Sequence, residues 1–594
     1  MVFSKILIAN RGEIAVRIIR ACDELGVDSV AVYSEIDRDA PHVARAGEAY
    51  LLGGAAPAES YLDVERILDV ARRSGAEAVH PGYGFLAENA AFARACEQAG
   101  IVFVGPPASA IDAMGSKTRA RELMQAAGVP IVPGTVEPVA DVAAARRIVD
   151  EQIGYPVAVK AAGGGGGKGF RVALEAAELE AAFEGAAREG EKFFSDPTVY
   201  LERYLPDPRH VEVQILADAH GATIHLGERD CSIQRRHQKL VEESPAPAWV
   251  VDAALRERIG TIAVEAARAV GYRGAGTVEG LLASGTSEYF FLEMNTRVQV
   301  EHCVTEMTTG VDIVKEGIRV AAGEPLSLSQ SDVVLRGHAI ECRINAEDAS
   351  ASFVPTPGTI GAYVEPSGPG VRVDSGVRAG SVVSDAYDPM LAKLVVWDAD
   401  RGQATARMLR ALGEFRIEGL TTLIAFHRAL LGSEQWARGE TCRDLLEDRA
   451  WLKALAPAEA HDDGGPDDDE TVEQTYTVEV SGRRFDVRVL GAPLANGADG
   501  AGARAKPVRG ERKAGKRTPH GSDTLASPMQ GNVWKVPVRQ GQQVAEGDLV
   551  TIIEAMKMEN EITAHKSGVI AELPIAEGDS VRSGDVLAVI RDAP

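Results

Sequence analysis

Three groups of residues in this 594-residue sequence have the types and spacing that chemistry needs. Glu279 and Glu293, with Asn295 two residues on, put two carboxylates and an amide oxygen on segments that read as neighbouring strands. Such a hard-oxygen set is what Mg²⁺ takes when it bridges phosphates. Glu293 follows the apolar Tyr289–Leu292 and is expected to be buried; a buried carboxylate needs a partner such as a metal. The second group runs from Lys160 through the glycines 163–167 to Lys168 and Gly169. Glycines let backbone N–H groups approach phosphate oxygens, and lysines neutralise their charge. A P-loop would continue as Gly-Lys-Ser/Thr into a helix; here Phe170-Arg171-Val172 returns as a strand, so the loop is expected to be a hairpin flap over a nucleotide. The third group is Arg297-Val-Gln299-Val300-Glu301, whose alternate residues share one face if the segment is extended. An arginine there would meet an anion, and the carboxylate beside it would keep a low pKa and remain available as a base. Lys239 upstream and Arg343 downstream add positive charge.

A fourth signal lies near the C-terminus, in Glu554-Ala-Met556-Lys557-Met558-Glu559. It sits between two copies of one pattern, Gly541-x-x-Val544-x-x-Gly547-Asp548 and Gly578-x-x-Val581-x-x-Gly584-Asp585, an offset of 37 residues. A duplicated set of strands related by an approximate twofold gives a small flattened β-barrel. Lys557 then falls at the turn joining the halves, where a modifying enzyme can reach its acylatable amine.

The elements that must position these groups follow from the hydrophobic pattern. Lys5–Ala9, Val30–Tyr33, Ala78–His80 and Ile101–Val104 read as strands, with helical spacing over Glu13–Leu25, Val64–Arg73 and Asn89–Ala99. Strands alternating with helices imply a parallel, Rossmann-like sheet. Farther on, Val157–Lys160, Phe170–Leu174, Val211–Leu216, Ala222–Leu226, Glu288–Glu293 and Gly337–Arg343 are expected strands, and Ala253–Val270 a helix. After about Ala454 come an acidic run, a strand-like island at Thr475–Val489 with a Ser481-Gly482 turn, and a basic run between Arg504 and Arg517. That composition reads as linkers around a small β element. Five segments result: 1–115, 116–205, 206–450, 451–522 and 523–594.

A net charge of −24 excludes general nucleic-acid binding, which needs a positive surface. No run of about 18 uncharged apolar residues is present, and charges between Lys5 and Arg20 leave no room for a signal-peptide core, so neither a membrane nor a secretory destination is expected. Six scattered cysteines without a CxxC pair read as reduced cytoplasmic thiols.

Several longer stretches carry a family resemblance: Ile8-Ala-Asn10-Arg-Gly-Glu-Ile14, His80-Pro-Gly-Tyr-Gly-Phe-Leu-Ala-Glu-Asn89, Met114-Gly-Ser-Lys117, Arg235-Arg-His237-Gln-Lys239 and Glu341-Cys-Arg343-Ile-Asn345. With the groups above, they make residues 1 to about 448 resemble biotin carboxylase, and the Met-Lys-Met turn resembles the biotinyl domains of biotin-dependent carboxylases. The related lipoyl domains typically carry Asp-Lys-Ala instead. The resemblance implies an α/β fold: a Rossmann-like N-terminal domain, an ATP-grasp fold and an α+β C-terminal carboxylase domain, followed by an all-β biotinyl, lipoyl-like flattened barrel.

It further implies that ATP is held by Lys117, Lys160, Gly164, Gly165, Gly166, Gly167, Glu202, His210, Gln234 and His237, and Mg²⁺ or Mn²⁺ by Glu279, Glu293 and Asn295. Bicarbonate would lie among Lys239, Arg297, Gln299 and the backbone of Val300, with Glu301 deprotonating it, carboxyphosphate forming, and Arg343 stabilising the biotin ureido enolate as CO₂ is captured. Lys557 would carry the biotin, attached by a biotin protein ligase. No carboxyltransferase-sized segment is left in the chain, so a carboxyltransferase β subunit is implied, with the chain a homo-oligomer within an α/β complex of the acetyl- or propionyl-CoA carboxylase type, in fatty acid biosynthesis. A methylcrotonyl-CoA-type carboxylase subunit is the alternative within the family. A peptide- or purine-type ATP-grasp ligase would share the flap and carboxylates but has no use for Met-Lys-Met.

Overall fold

The computed structural model describes residues 2–456 apart from 136, 162–168, 195 and 237; the strands 472–480 and 483–491; and residues 523–591 apart from 528–530, 556–557 and 583. Strands β1 (Lys5–Ile8), β2 (Asp28–Ser34), β3 (Glu48–Gly53), β4 (Ala78–His80) and β5 (Val102–Phe103) form one sheet in the order β3-β2-β1-β4-β5. Every pairing in it is parallel. Ile6, Leu7 and Ile8 are wholly buried, because helices cover both faces. The helix Gly12–Leu25 ends at Gly26, whose φ of 69° is the left-handed C-cap that glycine adopts without a Cβ clash.

Strands β6 (Val157–Ala161), β7 (Phe170–Ala173) and β8 (Val199–Arg203) make a separate three-stranded sheet in the order β7-β6-β8. β6 and β7 pair antiparallel from Val157↔Ala173 to Lys160↔Phe170, so the strands bounding the glycine run form a hairpin and no helix follows it. The run itself, 162–168, lies outside the described residues.

The frame of the site is an eight-stranded antiparallel sheet. It contains β9 (Arg209–Ala217), β10 (Thr223–Arg235), β11 (Gln238–Ser244), β12 (Gly274–Leu282), β13 (Tyr289–Asn295) and β14 (His338–Asn345). Their order is β13-β12-β9-β10-β11-β14, continued by Met390–Asp398 and Val371–Ser375. Helix Ala253–Ala269 packs on one part of the sheet, with Ile259 and Ala263 fully buried against Val213 and Ile215. β10 runs nine residues beyond the expected Leu226, through Gly-Glu-Arg-Asp-Cys-Ser-Ile-Gln-Arg. The pattern hid this extension because its charged side chains face buried partners instead of alternating with apolar ones. Helix Ala253–Ala269 itself lies one residue short of the expected end.

Two strands, Val472–Val480 and Arg483–Gly491, form the expected hairpin and pair as far as Val480↔Arg483. In the C-terminal barrel the duplication is visible strand by strand. One sheet has the order Thr524–Ala526, Val586–Arg591, Gly568–Glu572, Gln543–Val544; the other has Met558–Thr563, Leu549–Ala555, Gly531–Lys535, Ser580–Val581. The 37-residue offset carries Gly531, Gln543 and Leu549, each opening a strand, onto Gly568, Ser580 and Val586, which open theirs in the other sheet. Ile553 and Ile590, at equivalent places, are both fully buried in the shared core.

Candidate active site

The sheet brings together residues spread over more than a hundred positions. Lys239, on β11, donates from Nζ to Glu212 Oε2 at 2.5 Å, Glu301 Oε1 at 2.6 Å and Glu279 Oε1 at 2.9 Å. Arg343, on β14, donates from Nη2 to Glu301 Oε2 at 3.0 Å and from Nε to Glu242 Oε1 at 2.6 Å. Glu301 therefore has one cation on each oxygen, at the N-cap of helix His302–Thr309. Burial works against ionisation of Glu301, but Lys239, Arg343 and Arg229 outweigh it and hold its carboxyl well below the usual carboxylate range. Burial likewise opposes the charge of Lys239, and Glu212, Glu301 and Glu279 restore it, holding the ammonium well above its ordinary value. Glu242 goes the other way: burial pushes it up to about 7, Arg343 notwithstanding.

The segment before Glu301 is not extended, contrary to the expectation from alternation. Thr296–Glu301 turns into the helix, so Arg297 and Glu301 do not share one face of a strand. Arg297 instead donates from Nε to Glu88 Oε2 at 2.9 Å and from Nη2 to Asn295 Oδ1 at 3.0 Å. Gln299 is buried, and its Oε1 accepts from Arg229 at 2.8 Å while its Nε2 donates to Glu279. The carbonyl of Val300 accepts from the fully buried Lys393 at 2.9 Å.

Glu279 and Glu293 are direct cross-strand partners on β12 and β13, with Asn295 at the end of the same strand. Glu293 is exposed, which corrects the expectation of burial. Register shifts between Glu279↔Glu293 and Gly280↔Phe291, leaving Leu292 as the extra residue of a bulge, and both Leu292 and Glu293 open outward. Like charges directly opposite on a sheet repel, and three oxygen-bearing side chains there fit a hard divalent cation lying between them. His210 and Glu212 also gather near Glu279, with ligand atoms within 4.8 Å of one another. Glu212 is paired with Lys239 and with Arg229, each at 2.5 Å, and Glu279 is paired with Lys239 at 2.9 Å.

His210 lies 2.7 Å from Glu279 through Nε2. Lys160 reaches Glu202 across β6 and β8, and Arg121 holds the other oxygen of Glu202 at 3.1 Å. Gln234 donates to the carbonyl of Cys231 at 2.7 Å. Lys160, Glu202, His210 and Gln234 line one cleft, with Phe170 and Leu292 among its apolar walls. Of the remaining residues expected from the sequence, Gly164, Gly165, Gly166, Gly167, His237, Lys557 and the side chain of Lys117 lie outside the described residues. Strands Leu549–Ala555 and Met558–Thr563, on either side of Lys557, pair antiparallel up to Ala555↔Met558.

Sequence reasoning missed Glu212, Arg229, Glu242, Glu88 and Lys393. The signal for Glu212 was its alternation with Val211 and Val213, which on one strand is indistinguishable from an ordinary solvated face. Only the sheet shows that this face is buried. The six cysteines are buried and unpaired, and no helix among the described residues is long and apolar enough to cross a membrane.

Four family descriptions match the chain: "Biotin carboxylase, N-terminal domain" over 2–111, "Carbamoyl-phosphate synthase L chain, ATP binding domain" over 116–329, "Biotin carboxylase C-terminal domain" over 341–448 and "Biotin-requiring enzyme" over 523–590. The biotin-dependent acyl-coenzyme A carboxylase alpha3 subunit of Mycobacterium leprae is 48% identical over 577 residues, covering 96% of this chain and 95% of that protein. A pyruvate carboxylase subunit of Methanothermobacter thermautotrophicus is 55% identical over 438 residues, covering 74% of this chain and 88% of that protein. Among solved structures, the biotin carboxylase domain of a thermophilic 2-oxoglutarate carboxylase bound to bicarbonate superposes with a TM-score of 0.72 at 47% identity, covering 76% of this chain and 99% of that one. Biotin carboxylase from Campylobacter jejuni, in complex with a β-γ-ATP ligand, gives 0.68 at 45%, covering 74% and 98%.

Proposed function

This chain belongs to the biotin carboxylase family and carries a biotinyl domain on the same polypeptide, and from that premise we propose that it is the α-type subunit of a biotin-dependent acyl-CoA carboxylase. Its own reaction is the ATP-dependent carboxylation of biotin. The acceptor proposed for the next step is an acyl-CoA, acetyl- or propionyl-CoA or longer, bound by a separate carboxyltransferase β subunit. The observation that carries this reading is the end-to-end match to an acyl-CoA carboxylase α subunit, through the linker and the barrel. The pyruvate and 2-oxoglutarate carboxylase relatives match only about three quarters of the chain.

The proposed roles combine the family resemblance with the geometry above. Lys239 and the Nε2 side of Gln299 supply donors for bicarbonate, with Arg297 at the rim and the Val300 backbone beside them. Glu301, kept ionised by its two cations, removes the proton from bicarbonate so that its oxygen attacks the γ-phosphate, giving carboxyphosphate and ADP. Arg343, fixed by Glu242 and Glu301, offers a permanent positive charge to the biotin ring system. Lys160, Glu202, His210 and Gln234, with Lys117, His237 and Gly164–Gly167, are proposed to hold ATP. Glu279, Glu293 and Asn295 would hold Mg²⁺ or Mn²⁺, which when bound neutralises charge on the phosphates. Lys557 is the proposed biotin attachment site for a biotin protein ligase.

Purifying the chain together with its β partner and assaying acetyl-, propionyl-, longer acyl- and methylcrotonyl-CoA tests the reading. ATP-dependent fixation of labelled bicarbonate into a saturated acyl-CoA is expected. Fixation only into pyruvate, 2-oxoglutarate or methylcrotonyl-CoA overturns it.

A further inference from the structure

The mechanism above makes no use of Arg229, yet this arginine is wholly buried beneath the anion-binding groups. A guanidinium removed from water needs partners for all five of its N–H donors. All five are placed. Nε donates to Glu212 at 2.5 Å; Nη1 donates to Gln214 at 2.8 Å and Thr305 at 3.0 Å; Nη2 donates to Thr277 at 3.1 Å and Gln299 at 2.8 Å. These partners come from β9, from β12, from helix His302–Thr309 and from the turn that precedes it. One planar fork thus ties the turn carrying Gln299 and Glu301 to the sheet carrying Lys239 and Glu279.

We propose that Arg229 is a positioning residue that fixes which way the Gln299 amide faces and which oxygen of Glu212 is left for Lys239. This rests on the reading that bicarbonate binds at Lys239, Gln299 and Glu301. An arginine has no acceptor, so only the carbonyl oxygen of Gln299 can face it. The amide nitrogen is then turned toward Glu279 and the site, where it presents N–H donors to an anion. Reversed, the same side chain would turn lone pairs toward the anion and repel it. Glu212 is fixed in the same way: Oε1 is held by Arg229, so Oε2 remains for the Lys239 ammonium. A lysine could supply the charge but not the fork, having three donors around one point and no planar geometry.

The test uses the full biotinylated chain and steady-state kinetics with bicarbonate and MgATP varied separately. For Arg229→Lys the KM for bicarbonate is expected to rise about tenfold or more and kcat to fall about 10–100-fold, the size of effect that sub-ångström to ångström misplacement produces. The KM for MgATP should stay within about twofold. Thr305→Val, which keeps charge and volume and removes one acceptor of the fork, should raise the bicarbonate KM by a smaller factor, roughly threefold, again without moving that for MgATP. It also serves if Arg229→Lys fails to fold. An unchanged bicarbonate KM in the folded variants, or equal rises for bicarbonate and MgATP, overturns the proposal. Glu301→Gln, run in parallel, separates the two readings. If it abolishes bicarbonate-dependent turnover while the fork variants are normal, only the role of Arg229 falls; if it is itself normal, the bicarbonate site has been misplaced and both fall.

Discussion

Replacing Glu301 with glutamine removes a base while leaving a side chain of the same size, and the structure sets what each part of the change should cost. In the wild type each carboxylate oxygen has its own cation, Lys239 at 2.6 Å and Arg343 at 3.0 Å. Glutamine keeps one acceptor and turns an N–H against the other cation, so about one charge-assisted hydrogen bond is lost, worth about 1.5–3 kcal/mol. The larger penalty of an orphaned buried charge, about 3–5 kcal/mol, does not arise. Lys239 retains Glu212 and Glu279, and Arg343 retains Glu242. The protein should therefore fold and bind MgATP. Catalysis should suffer more: losing a positioned base costs about 10²–10⁴-fold, or about 3–5.5 kcal/mol of barrier. The assay is ADP release dependent on both biotin and bicarbonate, read beside a thermal melt. The melt carries a pH signature as well. The folded-state pKa of Glu301 is depressed, so its contribution to stability is present above the unfolded value of about 4.3 and is lost as the pH falls below it. The stability gap between wild type and variant should be widest near neutrality and close on acidification. Near-normal bicarbonate-dependent turnover of the variant would refute the reasoning, leaving Glu301 as an ion-pair partner of two cations.

Intact mass should show one biotin per chain, and Lys557→Arg should abolish streptavidin binding; a labelled variant would move the attachment site elsewhere. Incubated with ATP, Mg²⁺, labelled bicarbonate and propionyl-CoA, the purified chain alone should leave no acid-stable label on the CoA ester. Adding the β subunit should produce it. Glu293→Gln should raise the Mg²⁺ concentration for half-maximal turnover by about tenfold or more, and an unchanged Mg²⁺ requirement would remove Glu293 from the metal set.

The sequence showed most clearly what depends on period and on local chemistry. The parallel sheet was readable because β1, β2 and β4 are apolar runs punctuated by helices. The barrel was readable because its two halves repeat the same glycines and valines. The residues proposed to touch reactants were readable where they cluster along the chain, as from Asn295 to Glu301. What stayed hidden was pairing across distance. Glu212, Arg229 and Glu242 look like solvated strand residues until β9, β10, β11 and β14 lie side by side. Alternation puts Arg297 and Glu301 on one face only of a strand, whereas a helix N-cap bends the chain between them, and Arg297 pairs with Glu88, 209 positions away.

The bulge at Leu292 has a consequence for how the chain tolerates insertion and deletion. Because the ladder reads Gly280↔Phe291 on one side and Glu279↔Glu293 on the other, removing Leu292 would leave both pairings as they are. A homologue lacking this residue would show a one-residue gap inside β13, the edge strand of the sheet, and would still set its two carboxylates opposite each other. It would lose only an apolar wall of the cleft. Strict alternation cannot give a strand a leucine and a glutamate side by side on one face; one unpaired residue can.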